Sequence, residues 1–220
     1  MTEASEFASA LEERAPRYGV RPDGQTIARL REYYELVTAW NTRLHLVAPC
    51  PPAEFATRHV LESLLAADYI APGAHVADVG SGAGLPIIPC LIARADLSAT
   101  LIESSPKKAV FLREALRQAG AQRRAKVIAE RFEKTPAPAA AYVTCRALDR
   151  FTELLPALVA WSPPESTLLL FGGDSLRERL EKSAHACRAL HIPESERRFL
   201  FIVEPSPKSK VQSPKSGESL

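Results

Sequence analysis

The residues with the strongest claim to chemistry lie in the run Val76-Ala77-Asp78-Val79-Gly80-Ser81-Gly82-Ala83-Gly84-Leu85-Pro86. A short apolar strand runs into an acid and then three glycines spaced two apart. Such a loop turns a strand sharply into a helix while its backbone closely approaches a ligand, and glycine permits both. The N–H groups opening that helix are expected to face the ligand and make the loop a cofactor cradle. The next apolar run, Ser98-Ala99-Thr100-Leu101-Ile102-Glu103, closes on a second acid, 25 residues after Asp78. In a strand–helix–strand unit an acid at that place holds a ribose. Gly80, Gly82 and Glu103 are therefore candidate cofactor-binding residues. The spacing is G-x-G-x-G, not the G-x-G-x-x-G of a dinucleotide fingerprint, and no Walker lysine follows, which disfavours an NTPase. A nicotinamide enzyme and a tight turn without ligand stay as alternatives.

The elements that must position these residues follow from apolar periodicity. Ile27, Leu30, Tyr34, Val37 and Trp40 recur at helical spacing, Pro49, Pro51 and Pro52 break the chain, and a second helix runs through Phe55, Val60, Leu61, Leu64 and Leu65. From Ala74 strands and helices alternate. Strands are expected near 75–79, 98–103, 126–129, 140–145, 166–171 and 198–203, and helices near 85–95, 106–119, 149–160 and 174–190. This predicts an α/β, doubly wound sheet with ligands at the carboxyl ends of its strands. Residues 1–73 form an N-terminal helical extension, 74–204 the sheet domain, and 205–220, rich in Ser, Pro and Lys, a disordered tail.

Composition narrows the class. The hydrophobic share of 46% suits a globular core. Cys50, Cys90, Cys145 and Cys187 form no C-x-x-C pair, which points to reduced thiols in a cytoplasmic protein without structural zinc. No signal peptide and no apolar run of membrane-spanning length is apparent. The net charge of +2 says little, but Ser104 to Arg131 carries eight Lys/Arg against two acids, a stretch that either contacts phosphates or is a solvated helix face.

The G-x-G-x-G loop behind an acid has the form seen in class I S-adenosylmethionine (SAM) methyltransferases. An ordered set of segments makes the likeness specific. Trp40-Asn41 with Leu44-His45-Leu46-Val47, His59-Val60-Leu61-Glu62-Ser63-Leu64, the glycine loop with Leu85-Pro86 and Pro89, Pro106-Lys107-Lys108 with Phe111-Leu112, Arg131-Phe132-Glu133, Cys145-Arg146-Ala147 and Glu196-Arg197 together resemble the bacterial small-subunit ribosomal RNA methyltransferase G family (RsmG/GidB), from about Leu30 to Val203. The resemblance implies a Rossmann-like class I fold and SAM-dependent methylation of guanine N7 in 16S rRNA near the decoding centre. Its partner is then the 16S rRNA or the small ribosomal subunit, with no metal and no membrane. The oligomeric state is left open, with a monomer as the default. A SAM enzyme with another RNA or small-molecule substrate, or a non-catalytic SAM- or RNA-binding relative, stays as the alternative.

Carried over residue by residue, Gly80 and Leu85 line the SAM loop, Phe132 and Glu133 lie along the adenosine, and Arg146 sits at the methionine end beside the target base. Guanine N7 carries no proton, so methyl transfer needs no base, and alignment supplies most of the acceleration. No catalytic residue is assigned; Arg146 positions, unless it merely pairs with Asp78 or Glu133 to tie strand ends together. His45 and His59 are read as packed or capping residues. Cys145 is read as a small filler, not a nucleophile toward a pyrimidine. Three departures from the family stand out: Ile87 replaces a glycine and is expected to narrow the methionine end, Phe171-Gly172-Gly173 replaces Lys-Gly, and His45 replaces an Asn.

Overall fold

The computed structural model describes residues 2–146, 151–183 and 185–205. Seven strands form one sheet: β1 (His75–Val79), β2 (Ser98–Ile102), β3 (Ala125–Ile128), β4 (Tyr142–Arg146), β5 (Thr167–Gly172), β6 (Cys187–His191) and β7 (Phe199–Val203), in the order β3-β2-β1-β4-β5-β7-β6. The first five pair in parallel, and β7 runs antiparallel between β5 and β6. The strand order reverses at β1, between β2 and β4. That is where a doubly wound sheet opens a crevice for ligand.

Strand residues alternate between two cores, as the two-residue period of a strand requires. Leu169, Phe171, Leu200 and Ile202 face one side, while Leu168, Leu170, Phe199, Phe201 and Val203 face the other. The first side is covered by α1 (Glu3–Arg14), α2 (Gly24–Leu44), α5 (Ile87–Ala93) and α6 (Pro106–Gln118), whose apolar faces join one continuous core with the sheet. The second is covered by α7 (Phe151–Trp161) and α8 (Asp174–Glu181).

Local chemistry explains where these helices start. The Asp23 carboxylate accepts from the Thr26 N–H at 2.7 Å and caps α2. Ser105 caps α6 with Pro106 in its first turn, and Ala109, Phe111, Leu112, Ala115 and Leu116 give that helix its buried stripe. His45 ends α2 at φ 48, a left-handed conformation in which Asn and His are more at home than most residues. The Asn41 side chain then bonds both backbone groups of Val47, each at 3.0 Å, and folds Leu46–Ala48 back toward the sheet.

Two expectations need correction. The second N-terminal helix is not regular: α3 (Pro52–Glu54) and α4 (Glu62–Ala67) flank a π-helical segment, Phe55–Leu61. The expected helix over 174–190 ends at Glu181, and Cys187–His191 is instead the edge strand β6. That strand is mostly exposed, so no apolar alternation betrays it, and its pairing with β7 is what makes it a strand. The start of the helix expected from 149, Ala147 and most of the tail at 205–220 lie outside the described residues. No helix among the described residues is long and apolar enough to cross a membrane.

Candidate functional site

At the carboxyl ends of β1, β2, β4 and β5 lies a cavity of about 1120 Å³. This exceeds what a single small ligand needs and leaves room for a cofactor and a nucleobase. Gly80, Gly82, Leu85, Glu103, Phe132, Glu133 and Arg146 all line it, so the structure brings every sequence-derived site residue together.

The glycine loop holds its shape through left-handed turns at Gly80, Gly82 and Gly84, with φ of 69°, 53° and 86°. A Cβ at Gly84 would sit 2.3 Å from Cδ1 of the fully buried Ile88, so only glycine fits that turn. The expected donation from this loop to a ligand is corrected by the hydrogen bonds. Gly80 and Ser81 N–H groups both bond Ile102 O, at 2.9 and 3.2 Å, and Gly84 N–H bonds Ser81 O at 2.6 Å. Gly82 N–H is taken by Glu103 Oε2 at 2.8 Å. The loop therefore offers a close-approach surface more than a set of free donors.

Glu103 is 6% exposed, and its other oxygen accepts from Ser105 N–H at 2.7 Å. A carboxylate has about four acceptor positions, so two are left for a second ligand. Beneath the loop, Asp78 is fully buried, with Oδ1 accepting from the Thr144 hydroxyl at 2.6 Å and Oδ2 unpartnered among the described residues. Burial pushes its carboxyl up to about 7, against the pull of the Thr144 and Ser81 hydroxyls and with a further push from Glu103. The fully buried Tyr33 hydroxyl donates to Ala83 O at 2.7 Å and ties α2 to the loop. Burial raises that phenol far above its ordinary value.

Across the cavity sits a cluster that the sequence did not single out as a unit. Glu62, 1% exposed at the end of the π-helical segment, receives Arg146 Nη2 at 3.1 Å and Arg198 Nε at 2.9 Å on its two oxygens. Arg146 also donates to Arg58 O and stacks over Phe171, with its guanidinium carbon 5.4 Å from the ring centroid. Its Nη1 is buried without a partner among the described residues. Burial lowers the Arg146 pKa and raises that of Glu62, and in each case the opposite charge pulls back. Arg146 thus pairs with neither Asp78 nor Glu133. Glu133 instead receives Arg131 at 3.1 Å on the outer rim.

The remaining residues sort by burial. Phe132 is buried and meets Trp161 edge-on at 5.7 Å. His59 lines the cavity against Phe55, and burial with Arg146, Arg58 and Arg198 lowers its pKa to about 3, so it is neutral at any working pH. Cys145 is fully buried, which pushes its thiol well above the ordinary value and leaves no thiolate for attack. Ile87 is also fully buried and is not among the cavity-lining residues, so it does not narrow the pocket as expected. Of the basic stretch, Arg124 is spent on the carbonyls of Leu91, Arg94 and Leu97, and Arg117 pairs with Glu114. Only Lys108 and Arg131 from it reach the cavity. Among the described residues no group of three or more His, Cys, Asp or Glu side chains is placed to hold a metal.

Comparison with known proteins follows the same lines. A family profile described as GidB, rRNA small subunit methyltransferase G, matches residues 26–202. The chain is 40% identical over 159 residues to "Ribosomal RNA small subunit methyltransferase G" of Xanthomonas campestris pv. campestris (strain B100), covering 72% of this chain and 74% of the relative. It is 36% identical over 179 residues to the protein of the same name from Sorangium cellulosum (strain So ce56), covering 78% and 74%. The match to that of Xanthomonas axonopodis pv. citri (strain 306) is 44% over 134 residues but spans 62% of the relative's length. Among solved structures, an RNA methyltransferase from Salinibacter ruber in complex with S-adenosyl-L-homocysteine superposes with a TM-score of 0.55 at 18% identity, covering 74% of this chain and 97% of that one. A SAM-dependent methyltransferase from Aquifex aeolicus gives 0.54 at 16% identity, over 69% and 93%. At such identities these structures speak to the fold.

Proposed function

The chain belongs to the rRNA small subunit methyltransferase G family, and from that premise we propose that it methylates N7 of a guanine in 16S rRNA of the small ribosomal subunit, with SAM as cofactor. What carries this reading at the site is one conjunction. A glycine loop pinned by a strand-end acid faces, across a single cavity, a buried arginine with an unpartnered nitrogen.

The residues present fit the cofactor. Arg146 Nη1 in the cavity wall and Asp78 Oδ2 behind the glycine loop are both buried and unpartnered among the described residues, and with Asp78 ionised they would suit the carboxylate and ammonium of a methionine end. Glu103 retains acceptor capacity for ribose hydroxyls, Phe132 supplies an apolar wall for adenine, and Gly80, Gly82 and Leu85 allow close approach. When bound, SAM supplies an electrophilic methyl group on a sulfonium.

The chain's own contribution is alignment. Guanine N7 presents an in-plane lone pair and no proton, so no side chain has to remove one. Neither His59 nor Cys145 is called on as a base: burial among arginines lowers the His59 pKa to about 3, which makes it a poor proton acceptor, and Cys145 is sealed in the core. Arg146, fixed by Glu62, the Arg58 carbonyl and Phe171, holds one edge of the reacting pair, and fixed geometry of this kind supplies the rate. Positive charge moving toward the purine is tolerated because Glu62 offsets Arg146 within the same wall.

The test is Arg146→Ala. Turnover on small subunits should fall at least a hundredfold while the variant still folds, since a positioned group is worth several kcal/mol in the transition state. Turnover within threefold of wild type would remove Arg146 from the mechanism.

A further inference from the structure

The three arginines of the Glu62 cluster form a graded series. Arg146 is 12% exposed, Arg198 39% and Arg58 45%, so the charges run from the cavity floor to its rim. The two outer guanidiniums both line the cavity. Arg198 commits Nε and Nη2 to Glu62, and Arg58 commits Nη1 to Glu54 at 3.1 Å. A guanidinium has five N–H groups, so each has donors beyond those bonds. Among the described residues Glu62 and Glu54 are bonded to the cluster's three guanidiniums.

Resting on the rRNA reading above, we propose that Arg58 and Arg198 form a clamp for an RNA backbone phosphate at the rim of the cavity. When a base is drawn out of its stack into an enclosed site, its own sugar and phosphates stay at the mouth. Guanidinium forks are the side chains best matched to a phosphate there. The basic stretch after Ser104 is the rival surface. Its Arg124, Arg117 and Arg131 are engaged by backbone carbonyls, Glu114 and Glu133, and of its other five cations Lys108 lines the cavity while Lys107, Arg113, Arg123 and Lys126 do not. The outer arginines therefore place the RNA strand over the π-helical segment and the start of β7, on the opposite rim from Glu130 and Glu133.

The test measures binding of the full chain to 16S rRNA between 50 and 200 mM salt by filter retention, with SAM affinity by calorimetry in parallel. Arg58→Ala and Arg198→Ala should each lower the magnitude of the slope of log affinity against log salt measurably, and the double variant by about 0.7, the value of the one phosphate contact on a single strand that they share. RNA affinity should drop several-fold near 100 mM salt, with SAM affinity within twofold of wild type. Arg198→Lys should restore most of the slope. Arg58→Ala leaves Glu62 with both of its arginine side chains, so it keeps the test open if Arg198→Ala fails to fold. Wild-type RNA binding with an unchanged slope in Arg58→Ala overturns the clamp alone. Loss of SAM affinity with the RNA slope intact shows that these arginines hold the cofactor's carboxylate, which also overturns it. A wild type that binds no RNA overturns the substrate reading and the clamp with it.

Discussion

Removing the Glu62 carboxylate by Glu62→Ala gives the clearest quantitative consequence of this structure. The group is 1% exposed and holds two guanidiniums, Arg146 at 3.1 Å and Arg198 at 2.8 Å. The Arg198 side chain is 39% exposed, so water takes over its charge and its share is under about 1 kcal/mol. Arg146 has no such escape: its Nη1 already lacks a partner, and loss of Glu62 leaves a buried charge held only by Arg58 O and the Phe171 face. Breaking a buried pair from one side costs about 3–5 kcal/mol. The expected loss is therefore about 3–4 kcal/mol, a drop of roughly 6–16 °C in Tm for a chain of this size. Urea unfolding followed by circular dichroism at pH 7.5 measures it. Glu62→Leu combined with Arg146→Met should recover most of the loss, because an apolar pair of similar volume carries no desolvation cost. A loss below about 1 kcal/mol in Glu62→Ala, or no recovery in the double variant, would refute the view that the Glu62 carboxylate is what holds the buried Arg146 charge in this wall.

Three further outcomes are expected. Gly84→Ala and Gly82→Ala both hold alanine at positive φ, 86 and 53, which should cost each about 1–2 kcal/mol for the backbone. Gly84→Ala must in addition displace Ile88, whereas Gly82→Ala meets nothing nearer than 3.7 Å, so Gly84→Ala should be the less stable and weaken SAM binding more than tenfold, and equal thermal stability of the two would contradict this. Asp78 has a folded pKa of about 7 against 3.8 unfolded, so its proton stabilises the fold below about pH 4 and that contribution is lost as pH rises through 7; Asp78→Asn should flatten the stability profile in this window and abolish a gain in SAM affinity between pH 6 and 8. Tyr33→Phe leaves Ala83 O unpaired and should cost about 1–3 kcal/mol together with a several-fold loss of SAM affinity by calorimetry, and unchanged affinity would mean that the loop holds itself.

Much of the site was legible because its residues are local in sequence. The glycine loop and the strand end at Glu103 sit 21 residues apart across one Gly82–Glu103 hydrogen bond, and strand–helix alternation placed both at the switch point. The resemblance to the family added Leu85, Phe132, Glu133 and Arg146, and all four line the cavity. What stayed hidden depends on long-range contacts. The Glu62–Arg146 and Glu62–Arg198 bonds span 84 and 136 residues, and Tyr33 reaches Ala83 across 50. No periodicity announces such pairs. The loop's N–H groups were misread for a related reason: Ile102 and Glu103 arrive from the neighbouring strand and take them. The π-helical segment and edge strand β6 were missed because the first looks apolar-helical and the second is exposed.

The central claim is a methyl transfer, and the most direct measurement is transfer from labelled SAM to small ribosomal subunits and naked 16S rRNA taken from a host lacking the matching enzyme, with the modified base mapped. Label on guanine N7 in 16S rRNA, absent when Arg146→Ala replaces the wild type, is the predicted result. Label on another atom or another RNA, or none despite SAM binding confirmed by calorimetry, would contradict it.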